Sequence, residues 1–160
     1  MTSFRTAALV AAAFLFLLGG CAEDASTPAD PGAGSEPAAA ASEAAEQENL
    51  EVLLAQADVK RGQTLFLQCR ACHSLEAGEP HKVGPNLNGM FGREAGIAPG
   101  FDYSPALQEA EVVWTPDALN AWLERPSEYL PGNRMVFIGV KKPADRANLI
   151  AYLQQATAAE

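Results

Sequence analysis

Two thiols and an imidazole stand together in Cys69-Arg70-Ala71-Cys72-His73. At this spacing both thiols can add to the two vinyl groups of one haem, and the imidazole that follows lies beneath the iron as proximal ligand. Two other chemistries use C-x-x-C. A thioredoxin-like redox pair needs a βαβ setting, which the patterns below do not supply. A zinc site needs further ligands, and the one other cysteine, Cys21, has a different use. The motif points to one covalent haem c, with His73 on its iron.

Such an iron takes a second ligand or keeps an open position. Met135, Met90, His81 and several lysines are on offer. Met135 lies in Pro131-Gly132-Asn133-Arg134-Met135-Val136-Phe137, a loop without helical period. A thioether is a soft ligand suited to ferrous haem, and a Met/His pair raises the reduction potential. Taken alone, a methionine between apolar residues is more often core filling, so the residues by themselves leave the choice open.

The elements that must position these groups read as helices. Asp58 is placed to cap a helix through about Gln68, with Val59, Gly62, Leu65 and Phe66 on one face. Ser104-Pro105 and Thr115-Pro116 each read as a cap followed by proline at the first helical position. The second of these helices carries Leu119, Trp122 and Leu123 and must stop before Pro126. A last helix starts at Lys142-Pro143, with Leu149, Ile150, Tyr152 and Leu153 as its buried stripe. Loops rich in Gly and Pro fill 78–100 and 131–139. The expected fold is all-α, four or five short helices and loops wrapped around one haem. So thin a core needs the haem as its missing apolar mass.

Residues 1–20 read as an export signal: Arg5, then the apolar run Ala7 to Leu18, then two glycines. That run is shorter than the roughly 20 residues a membrane-spanning helix needs. Leu18-Gly19-Gly20-Cys21 resembles a bacterial lipobox, which would make Cys21 a lipidated mature N-terminus. Residues 21–56 are expected to form a disordered tether, Ala-, Glu- and Pro-rich, without aromatic residues, Lys or Arg. It holds eight of the twenty acids in the chain, and the chain as a whole has net charge −9. The domain at 57–160 is nearly neutral and has no basic stripe of the kind nucleic-acid binding needs.

Across that domain a series of runs appears in order. They are Gly62-x-x-x-Phe66, the C-x-x-C-H site, His81-Lys82-x-Gly84-Pro85-Asn86-Leu87 and Gly89-Met90-Phe91-Gly92-Arg93. After them come Pro99-Gly100-Phe101-x-Tyr103, Trp114, Tyr129-Leu130-Pro131-Gly132-x-x-Met135 and Leu149-Ile150-Ala151-Tyr152-Leu153. From about Asp58 to Thr157 the chain closely resembles the class I cytochromes c, the mitochondrial type and its bacterial relatives, here in a membrane-tethered lipoprotein form. The resemblance implies Met135 as the second iron ligand. It implies that the Pro85 carbonyl accepts from the His73 ring, that Arg93, Tyr103 and Trp114 donate to the haem propionates, and that His81 is structural. Gly62, Phe66 and Tyr152 would form the contact between first and last helices.

The chain departs from the mitochondrial pattern in places. Trp122 replaces a tyrosine near the Met sulfur, and an indole donates but does not accept. Leu107 replaces an asparagine, and Asn133 a threonine. One residue is missing between Phe66 and Cys69. The ring of lysines around the haem edge is thinned: Gln68, Ser127 and Glu128 stand at lysine positions, while Lys82, Arg134, Lys141 and Lys142 remain basic. The resemblance implies a one-electron carrier rather than an enzyme, working as a monomer. Its donor would be a quinol-cytochrome c reductase-type complex and its acceptor a terminal oxidase or reductase, in a respiratory or photosynthetic chain. It would be held by lipid at Cys21 on the periplasmic side of a bacterial membrane. The rival expectation is a peroxidase-like or gas-sensing protein with a labile Met135.

Overall fold

The computed structural model describes residues 49–158. The export signal, Cys21 and most of the expected tether lie outside the described residues. Among the described residues, five helices follow the helical stretch at 49–55: α1 (Val59–Phe66), α2 (Pro105–Gln108), α3 (Pro116–Glu124), α4 (Pro126–Tyr129) and α5 (Pro143–Ala156). The class is the all-α one expected.

Each start has a local cause. Asp58, in extended backbone, accepts from the N–H groups of Lys60 and Arg61 at 2.9 and 3.1 Å. Its own N–H donates to Asn148 Oδ1 of α5 at 2.8 Å, so the cap of the first helix is tied to the last. The Ser104 and Thr115 side chains accept from Leu107 and Ala118, with proline at the first helical position of each helix. Pro126 does two things. It ends α3 at Glu124, as expected, and it also opens α4, a single turn the sequence reading did not include. Proline's preset φ and missing N–H suit a first turn as well as they forbid a continued one.

The crossing of α1 and α5 is the main helix contact. A Cβ added at Gly62 would collide with the Asn148 carbonyl and stand 2.7 Å from Tyr152 Cβ. The missing side chain is what lets the two backbones meet, and Phe66 and Tyr152 fill the crossing with ring centroids 5.7 Å apart. Gly62→Ala must push the helices apart, and the expected loss is about 1–3 kcal/mol of stability. A denaturant melt of the haem-loaded protein measures it; an unchanged midpoint would show the crossing to be looser than this geometry requires.

Arg146 binds α5 to the rest. Only 5% exposed, it donates to Asn120 Oδ1 at 2.7 Å and to the Val140 and Lys141 carbonyls at 3.0 and 3.1 Å, with Glu124 at 3.6 Å. A buried charge is tolerated when it is hydrogen-bonded and paired in this way. Behind it Leu149 and Ile150 are fully enclosed.

Two observations correct the sequence reading. Residues 49–55 are helical, and Leu50, 3% exposed, belongs to the core with Leu53 and Leu54 packed against it. The packed unit therefore includes at least Leu50, which the sequence reading assigned to the tether ending at 56. The second is a short antiparallel pairing. Gly92 N–H donates to the Trp114 carbonyl, Trp114 N–H to Arg93, and Ala95 N–H to Val112, at 2.8–3.0 Å, around an isolated bridge between Glu94 and Val113.

Candidate haem-binding site

The fold closes around a cavity of about 460 Å³. Cys69, Cys72 and His73 line it, as do Met135 and its neighbours Arg134, Val136 and Phe137. Leu119, Trp122 and Leu123 from α3 and Leu149 and Leu153 from α5 also face it. An apolar cavity of this size, lined by two thiols and an imidazole, fits a porphyrin with iron at its centre.

Cys69 and Cys72 are free thiols, so they have not consumed each other in a disulfide. The motif sits directly after α1, where the turn is closed by Cys72 and His73 N–H groups donating to the Cys69 carbonyl, both at 3.0 Å. Burial, and then the neighbouring Cys72, push the Cys69 thiol up to about 11, so it stays protonated at neutral pH.

His73 is held by its surroundings. Its Nδ1 lies 2.8 Å from the Pro85 carbonyl. A carbonyl only accepts, so Nδ1 carries the proton and Nε2 keeps the lone pair an iron needs. Gly84 permits the approach, because a Cβ there would stand 2.8 Å from both ring nitrogens and closer still to Cε1. Burial holds the imidazole below its ordinary pKa, partly opposed by the Pro85 carbonyl. It is therefore neutral at neutral pH, the form that ligates.

The other expected groups arrive from separate loops. Arg93 and Trp114 are brought side by side by the backbone pairing at 92–95 and 112–114, and Arg93 also donates to the Asn88 carbonyl at 3.1 Å. Tyr103 is 8% exposed and packs edge-on against Phe101 at 4.8 Å. All three line the cavity and carry N–H or O–H donors, suited to meet propionates. Burial raises the Tyr103 phenol, opposed by the charge of Arg93, so Tyr103 remains a donor at neutral pH.

Of the candidate second ligands, His81 is spent. Its Nδ1 accepts from Asn86 N–H and its Nε2 donates to the Pro99 carbonyl, both at 2.9 Å. It is the structural histidine expected. Met90 also borders the cavity but is 5% exposed within the core cluster. Met135 is carried by a loop with specific fastenings. Asn133 Oδ1 accepts from Met135 N–H at 2.9 Å, while its amide donates to the Pro126 and Leu130 carbonyls. Asn133, at the position of the threonine, thus ties the Met135 loop to α4.

Two further side chains shape the site. Arg134 donates twice to Asp102 Oδ2, at 3.1 and 3.2 Å, and once to the Asp102 carbonyl, clasping the Met135 loop to the Tyr103 loop. Arg134 is therefore paired within the chain. Trp122 is 6% exposed and lies between Trp114 and Tyr129, with ring centroids 5.5 and 6.1 Å away. It fills the tyrosine position as a packing residue.

The profile of the cytochrome c family matches residues 59–157, the stretch that builds this cavity. The chain belongs to the cytochrome c family. It binds one covalent haem c, and its class of function is electron carriage. It is 54% identical over 102 residues to cytochrome c of Chlamydomonas reinhardtii, covering 63% of this chain and 91% of that one. Cytochrome c of Sesamum indicum is 49% identical over 102 residues, covering 63% and 92%. Cytochrome c of Cochliobolus lunatus is 46% identical over 103 residues, covering 64% and 95%. The similarity accounts for nearly the whole of these relatives and for the cytochrome c domain of this chain.

Proposed function

We propose that this cytochrome c is a tethered one-electron carrier in which His73 and Met135 would hold the haem iron. The observation that carries the reading is the convergence of Cys69, Cys72, His73 and Met135 on one apolar cavity. When bound, the haem supplies a reversible ferric/ferrous couple, which a Met/His pair places toward high potential. The chain does the rest. Cys69 and Cys72 fix the ring covalently, Pro85 sets the His73 tautomer, and Arg93, Tyr103 and Trp114 hold the propionates. The leucines of α3 and α5 keep water out, which favours the less charged ferrous centre.

The rival reading, a peroxidase-like or gas-sensing protein, needs Met135 to leave. The fastenings through Asn133 and the Asp102 clasp argue for a held ligand. Residues 1–20 as export signal and Cys21 as lipid attachment would put the carrier on the periplasmic side of a bacterial membrane. There it would pass electrons from a quinol-oxidising cytochrome complex to an oxidase or reductase. With no free position on the iron, the reduced protein takes up no carbon monoxide at neutral pH and titrates as a single reversible one-electron couple. Carbon monoxide binding by the unmodified protein would favour the rival.

A further inference from the structure

Lys82 is an exposed residue whose ammonium turns back onto the haem motif. Its Nζ donates to the Arg70 carbonyl at 3.1 Å and to the His73 carbonyl at 3.3 Å. Among the described residues no carboxylate pairs with it. Its charge is therefore directed at backbone oxygens and is not cancelled by an acid.

The backbone supplies the reason. α1 ends at Phe66, but turns carry its hydrogen bonding on. The Cys69 and Arg70 N–H groups donate to the Phe66 carbonyl at 2.8 and 3.0 Å, and those of Cys72 and His73 to the Cys69 carbonyl, both at 3.0 Å. The run that begins at Val59 thus ends at the proximal histidine itself. The last four carbonyls of a helical run have no partner within it and form the negative end of its dipole. Segment 82–84 supplies partners for three of these. Gly84 N–H takes the Cys72 carbonyl at 2.8 Å, and Lys82 takes those of Arg70 and His73. A lysine at such an end satisfies the carbonyls and offsets their partial charge. Partial negative charge beside an iron ligand favours the ferric centre, and an ammonium placed on it favours the ferrous one.

We propose that Lys82 is a positioning residue for the electron-carrying site. Its ammonium caps the carbonyl end that bears His73, fixes the backbone of that ligand and raises the reduction potential. Its place in the sequence alone would make Lys82 a docking charge; the geometry gives it an internal use. The inference rests on His73 as iron ligand, the reading given above.

The test compares midpoint potentials of the haem-loaded full chain with those of Lys82→Met, Lys82→Arg and Lys60→Met. The reference is the ambient potential that holds the unmodified protein half reduced. There, in about 0.02 M salt, Lys82→Met shows a ferrous-to-ferric ratio about threefold lower, the size expected of one exposed charge near the centre. Lys60→Met removes the same charge from the far end of the run, on the order of 20 Å from His73 at about 1.5 Å per residue. It changes the ratio by less than about 1.3-fold. Lys82→Arg keeps charge and donors and brings the ratio back to within about 1.5-fold of the unmodified protein. A second readout needs no variant, and so decides the matter even where Lys82→Met loads no haem. Nitrogen-15 relaxation of the lysine ammonium groups in the unmodified protein shows Lys82 restricted and Lys60 free. Equal ratios in unmodified and Lys82→Met protein overturn the proposal. So do equal falls in Lys82→Met and Lys60→Met, an arginine variant no better than the methionine one, or a Lys82 ammonium as mobile as that of Lys60. Loss of the reversible one-electron couple in the unmodified protein would instead sink the carrier reading, and is seen separately.

Discussion

Met135→Ala leaves the haem iron with an open position. The ferric protein then lacks the weak near-infrared absorption that marks sulfur on haem iron, and the reduced protein takes up carbon monoxide at neutral pH. Stability falls as well, by about 2–5 kcal/mol, because a half-buried side chain is removed from a packed wall. The expectation rests on the loop rather than on the residue alone. Asn133 accepts from the Met135 N–H and donates to two carbonyls, and the next clasp is Arg134 on Asp102. Met90 is the control, since it too borders the cavity. Met90→Leu keeps its volume and apolar character, so it costs under about 1.5 kcal/mol and leaves the sulfur absorption in place. The reverse pattern, absorption lost in Met90→Leu and kept in Met135→Ala, would reassign the ligand.

Cys69→Ala with Cys72→Ala is expected to cost the fold itself when haem is not retained. An empty cavity of about 460 Å³, at about 24 cal/mol per Å³, is worth about 11 kcal/mol. A whole domain is stable by only about 5–15 kcal/mol. Water entering through the mouth trims the figure, but even half of it removes most of the margin. Leu119, Trp122, Leu149 and Leu153 all lose their common partner at once. The far-ultraviolet circular dichroism of the haem-free variant should show little helix at 25 °C and no cooperative melt. A cooperative melt near that of the loaded protein would mean that the helices form a sufficient core without the haem. Either single substitution keeps one thioether, and the expected loss is then partial.

What could be read from sequence was what is local. Asp58, Ser104 and Thr115 announce helix starts because a cap acts on amides two or three residues away. Gly62 and the Leu149–Leu153 stripe could be placed because helical period sets which residues share a face. The haem motif was legible for the same reason, its three groups lying within five residues. The pairing of Arg93 with Trp114 was not, since it joins segments twenty residues apart with a single bridge and no alternating pattern. Nor was the Asp102–Arg134 clasp, a contact across 32 residues. Leu50 was hidden by composition: one buried leucine sits among acids and alanines that otherwise resemble a tether. For Met135 the residues alone left the ligand open, and resemblance in the ordered runs around it decided the expectation. Pro126 was half read, as a stop for α3 but not as the start of α4.

The most direct measurement is the ferric absorption spectrum of the unmodified haem-loaded protein, carried into the near infrared at neutral pH. With Nε2 of His73 and the sulfur of Met135 both on the iron, the spectrum is low-spin and carries the weak sulfur absorption, and reduction leaves the centre low-spin. High-spin ferric iron without that absorption would contradict the account. The cavity would then hold an open haem, and electron carriage through a six-coordinate centre would have to be given up.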